Sequence, residues 1–177
     1  MRKIASVVII FLAFILIYLL QANFFNWFTI AGVKPNLFVI LIVFVGLFAG
    51  KYMGVSIGVV AGLLLDFFIS KKIGISAIMF GIIGLLGGIL DNNFSKDSKL
   101  TIIIIIFGTT ALYEIGNYVI NAFIYNYEVE IVNFAIQLGI EIIYNIILTI
   151  ILYPLIQRAG NLLENIFKGN RILTRYF

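Results

Sequence analysis

Apolar residues fill six long runs along the chain, separated by short polar or basic breaks. The runs predict membrane-spanning helices over residues 4–22, 35–49, 52–69, 73–90, 100–125 and 133–156. Most reach the roughly 18 residues that mark a span. The breaks are short and no polar stretch is large enough to fold alone. The expectation is an all-α, polytopic membrane protein: one integral domain over residues 1–177, a bundle of six transmembrane helices, followed by a basic amphipathic tail at 157–177.

Within the runs, the polar and small residues keep time. Gly46, Gly50, Gly54, Gly58 and Gly62 are each four apart. Four residues advance a helix by about 40° beyond one turn, so the last three share a face of the third span. A face without side chains lets another backbone approach closely. Gly81, Gly84, Gly87 and Gly88 give the fourth span a similar surface. A close-packed seam is expected there. Asp66 continues the beat, four residues after Gly62, and so points along the seam, near the end of its span. The residues that follow, Ser70, Lys71 and Lys72, offer it partners. The expected role is to pin the turn between spans three and four.

Spans five and six carry polar stripes. Thr110, Glu114, Asn117, Asn121 and Tyr125 fall within about 90° on a helical wheel. Asn133, Gln137, Glu141, Asn145 and Thr149 repeat every four residues. Glu114 and Glu141 lie near mid-membrane, where a carboxylate must be protonated, paired or hydrated. No basic residue lies at their depth. Two readings stand: interhelical glue, or an intramembrane polar face for a partner helix or a small pocket.

Composition narrows the chemistry. The chain is 63% hydrophobic and 11% charged, with no histidine and no cysteine. Thiol nucleophiles, disulfides, histidine bases and the usual zinc sites are excluded. Asp91 and Asp97 flank a polar turn and read as solvated turn residues. No catalytic residue, cofactor site or metal site is expected, and the protein reads as a non-enzyme.

The net charge of +4 serves topology and does not signal nucleic acid. With the N-terminus inside, Arg2, Lys3, Lys51, Lys96, Lys99, Arg158, Lys168, Arg171 and Arg175 fall inside; Lys34, Lys71 and Lys72 fall outside. Lysine and arginine favour the cytoplasmic side, so both termini are expected there. The basic start with its long apolar run has no small-x-small cleavage site after it, and reads as a retained helix. Phe24, Phe25, Trp27 and Phe28 are expected at headgroup level, as an interfacial anchor. After Pro154, Leu162, Leu163, Ile166 and Phe167 with the nearby basic residues suggest a short interfacial helix on anionic lipid.

The run from Gly32 to Gly84 resembles the rod shape-determining protein MreD family. The resemblance rests on Gly32 and Pro35 opening span two, Gly46 and Gly50 closing it, Gly54, Gly58, the GLLLD of residues 62–66, and Gly74 eight residues on. It covers about a third of the chain. Many members place Ser-Pro-Leu-Gly before the last glycine; here the residues are Ser-Lys-Lys-Ile-Gly. The resemblance implies a non-enzymatic subunit of the cell-wall elongation machinery in the bacterial cytoplasmic membrane. It implies as partners an MreC-like bitopic protein and, directly or through it, MreB, RodA and a class B penicillin-binding protein. The six-helix plan is also similar to the substrate-binding S-components of energy-coupling-factor transporters. Those often carry Ala-x-x-x-Ala in the first helix; here Ala5 and Ala13 do not form that pair.

Overall fold

The computed structural model describes residues 2–69, 74–91, 98–125 and 130–168. Six helical rods run through them. Helix α1, Arg2–Leu19, widens into a π turn at Leu20–Phe24 and closes with Phe25–Trp27. Then come α2, Leu37–Ala49; α3, Lys51–Ile69; and α4, Ile75–Leu90. The last two are α5, Lys99–Tyr125, and α6, Ile131–Phe167. Helices α1, α3, α5 and α6 are long and apolar enough to cross a membrane. Helices α2 and α4 have only 13 and 16 residues. At 1.5 Å per residue they are about 20 and 24 Å long, short of the roughly 30 Å hydrocarbon layer.

Their brevity follows from their ends. Between α1 and α2 the chain reverses at Ala31 and Gly32, both with positive φ. Ile30 and Val33 exchange both backbone hydrogen bonds across this turn, at 3.0 and 2.9 Å. Asn36 then caps α2, its side chain accepting the Val39 N–H at 3.3 Å. Gly50 stops α2 with φ of +92°, and α3 starts at the very next residue. A one-residue connection of that shape suits glycine, which has no Cβ to clash at positive φ.

The packing is uneven. The most extensive contact is α3 on α4, followed by α2 on α4. Every residue of α2 except Leu41 is buried. Helix α1 lies at the edge, with modest contacts to α2 and α6. Ile10, Val45, Ala49, Met53, Leu163 and Phe167 pack together. The start of α1 and the end of α6 therefore share one end of the bundle.

Two features depart from the sequence reading. Helix α6 does not end near residue 156 but continues through Pro154 to Phe167. A proline inside a helix loses one backbone bond and tends to bend it, yet neighbours in a bundle keep such helices continuous. Residues 157–167 are thus the end of a 37-residue helix, not a separate interfacial one. The basic residues Arg171 and Arg175 lie outside the described residues. Among the four aromatics expected at headgroup level, Trp27 is 88% exposed, but Phe25 is buried. Its ring meets Tyr144 edge to face at 6.1 Å, and the Tyr144 hydroxyl donates to the Phe28 carbonyl at 2.7 Å.

Candidate functional site

The glycines decide how close α2, α3 and α4 stand. A Cβ placed on Gly46 would lie 2.5 Å from the Gly84 carbonyl oxygen and 2.9 Å from the Gly88 nitrogen. On Gly54 it would strike the Gly84 carbonyl, on Gly58 the Phe80 carbonyl, and on Gly62 the Ala77 backbone. From the other side, Gly84 faces the Gly54 carbonyl, Gly87 the Val43 carbonyl at 2.6 Å, and Gly88 the backbone of Lys51. At these positions backbone meets backbone, with no room for a methyl group; Gly81 instead faces the Val59 side chain, 3.0 Å from the place of its Cβ. Gly50 stands apart from the other four. Nothing but the Lys168 side chain approaches the place of its Cβ, at 3.7 Å. Its work is conformational, at the turn.

Asp66 closes the other end of the same pair. It is fully buried on the last turns of α3. Its Oδ2 accepts the N–H of Gly74 at 2.7 Å and of Ser76 at 3.1 Å. Those groups belong to the first turn of α4, where N–H groups have no partner in the helix. A carboxylate there also lies at the positive end of the helix dipole. One side chain thus caps α4 from α3. Gly74 adopts φ of +117° to turn its N–H toward it. Ser70, Lys71 and Lys72, offered by the sequence as partners, lie outside the described residues.

The polar stripes of α5 and α6 meet at one level, beside the beginning of α2. Asn145 is fully buried. Its Oδ1 accepts the Asn36 backbone N–H at 2.7 Å, and its Nδ2 donates to Thr110 Oγ1 at 3.1 Å. One amide therefore joins α6, α5 and the cap of α2. The Glu114 and Glu141 side chains face each other, with the Asn36 side chain in reach of Glu114. Glu141 Oε1 is shielded from solvent and has no hydrogen-bond partner. Asn117 joins through Tyr113, whose hydroxyl has Asn117, Ser76 and Asn36 within reach.

The stripes do not meet along their full length. Asn121 turns back onto its own helix, donating to the Asn117 carbonyl at 2.8 Å. Gln137 is exposed, as are Ile136 and Ala135 beside it. In this first part of α6, Phe134 stacks on Tyr118 of α5 at 4.1 Å. The polar face thus divides into a buried tier and an open upper part.

Four residues of this arrangement escaped the sequence reading. Asn36 precedes an apolar run and is a capping residue type, a signal that was available. Tyr113 and Ser76 gave none, since a tyrosine in an apolar run is ordinary. Lys168 looked like a lipid-facing charge. Its ammonium instead donates to the Leu47 carbonyl at 2.8 Å and pairs with Asp91 at 2.5 Å. Asp91 is accordingly part of an ion pair and not a solvated turn residue. Among the described residues, no three acidic side chains converge as a metal site.

No curated protein and no solved structure matches the chain. A family model does, that of rod shape-determining protein MreD, over residues 1–159 of 177. That span takes in the seam, the Asp66 cap and the buried polar tier, and by it the chain belongs to the MreD family, whose role is in rod shape determination.

Proposed function

We propose that this protein is a non-enzymatic membrane scaffold of the bacterial cell-wall elongation machinery. It sits in the cytoplasmic membrane with both termini in the cytoplasm, the side that the distribution of lysine and arginine along the sequence favours. Its partners in this reading are an MreC-like bitopic protein and, directly or through it, MreB, RodA and a class B penicillin-binding protein.

The observation that carries the reading is the division of the bundle. Helices α2, α3 and α4 pack backbone on backbone and leave no room for side chains between them where the glycines meet. Helices α5 and α6 carry the polar residues, and the first turns of α6 are open around Asn133, Ala135, Ile136 and Gln137. A fixed core with a partly open polar flank suits assembly: the core holds shape while the flank meets another helix. Amides and carboxyls in a membrane gain most when a partner helix satisfies them.

The test is crosslinking in native membranes, recovery of a tagged copy, and mass spectrometry of what accompanies it. An MreC-like protein and elongation synthases are expected, with crosslinks on α5 or α6. Recovery of an ATPase with transport subunits, or of a tightly held small molecule, would replace this reading with that of a substrate-binding subunit.

A further inference from the structure

The last part of α6 has three features that belong together. The first is Pro154, inside the helix. It has no N–H to give the Ile150 carbonyl, so the helix is weakest in bending at that point. The second is the contact at the far end. Lys168 Nζ reaches the Leu47 carbonyl at the end of α2 and the Asp91 carboxylate at the end of α4. Both partners of the ion pair are nearly buried, with side chains 11% and 9% exposed. Helix C-termini leave carbonyls unpaired and carry negative partial charge, so an ammonium is well placed there.

The third feature is what lies between. Leu152, ahead of the proline, and Leu155, Ile156, Ala159, Gly160 and Leu163, beyond it, form one wall of an apolar groove of about 270 Å³, whose other walls are α1 and α2. Where this wall meets α2, the Phe48 ring lies directly on Gly160, where a Cβ would stand 2.5 Å from it, and Leu163 and Phe167 pack with Val45 and Ala49. At Gly160 itself the ring makes close contact with no side chain to interlock, so the hold on α2 rests on Leu163, Phe167 and the Lys168 contacts.

We propose that residues 155–168 are a hinged strap: Pro154 is the hinge, Lys168 the latch, and the strap the movable wall of the groove between α1 and α2. Release of Lys168 from Asp91 and Leu47 lets the strap swing away from Phe48 and widens the groove. The latch binds the ends of α2 and α4, so the strap is anchored on the close-packed core.

The chain has no cysteine, so spin labels can be placed at will. One pair, at Tyr52 and Asn161, reads the strap; a second, at Val60 and Ile82, reads the α3–α4 contact. All four sites are exposed. In lipid nanodiscs, Lys168→Met is expected to add a longer-distance population to the first pair and leave the second unchanged. Asp91→Leu should do the same. Adding Pro154→Ala to Lys168→Met restores the backbone bond at the hinge and is expected to shrink that population. An unchanged first pair in Lys168→Met would overturn the latch. An equal population with Pro154→Ala would overturn the hinge. Broadening of both pairs would make Lys168 a general stabiliser of the bundle and end the strap proposal.

Discussion

Gly54 and Gly84 occupy each other's side-chain space: the carbonyl of each stands where the Cβ of the other would be. The relationship is reciprocal, so neither position tolerates growth without moving a helix. In membranes, where lipid is as apolar as leucine, contact of this kind is a main source of helix association.

Gly58→Leu tests the seam, because a side chain there meets the Phe80 carbonyl. Overpacking of a tight core costs about 1–3 kcal/mol, at times more. A clear fall in thermal stability in detergent is expected, with Gly139→Leu, at an open position, as the harmless comparison. Equal melting of the two variants would count against backbone contact as the main hold on α3 and α4.

Asp66 separates charge from hydrogen bonding. Asp66→Ala leaves the Gly74 and Ser76 N–H groups buried without their acceptor, at about 1–3 kcal/mol. Asp66→Asn keeps an oxygen for them. Melting curves should rank the natural protein above Asn and Asn above Ala. Indistinguishable curves for all three would remove Asp66 from the cap.

Asn145→Leu should loosen three elements together, since one amide serves Asn36, Thr110 and its own helix. Polar contacts between membrane helices average about 0.6 kcal/mol, and the orphaned Asn36 N–H adds to the loss. Hydrogen exchange would be expected to rise at the start of α2 as well as beside Thr110. A rise confined to α6 would show that the amide does not carry the connection.

Glu114→Leu and Glu141→Leu distinguish the two readings of the polar tier. If the tier is a partner's seat, the tagged protein keeps its melting temperature and loses the recovered partner. Loss of the fold in both variants, with no loss of partner in the folded fraction, would make the pair internal glue.

Much of this arrangement was legible in the sequence, and the residues show why. Apolar runs place the helices to within a few residues, the end of α6 apart, because the backbone of a chain in lipid must satisfy itself as helix. The period of four exposes the seam because a helix repeats its face at that spacing. Gly50 keeps the same beat yet does different work, since spacing says nothing of φ. Pro154 is a stop signal in water, but its lost bond is tolerated inside a bundle. Lys168 was read by charge alone, and charge does not reveal that two helix ends converge on it. Asn121 and Gln137 fit the stripe on a wheel, but helices of unequal length do not face each other along their whole extent.

The enclosure of α2 has a consequence for how the protein is made. All but one of its residues are covered by protein in the finished bundle, yet α4, α5 and α6 are synthesised after it. Until they arrive, α2 has only α1, α3 and lipid around it. Its 13 residues, LFVILIVFVGLFA, carry no polar side chain, so they are at ease in either solvent. The single residue Gly50 joins it to α3, so the two enter the bilayer as a pair. A polar group placed in α2 to suit the finished interior would be stranded during biogenesis, which ties the composition of this helix to its time in lipid as well as to its final neighbours.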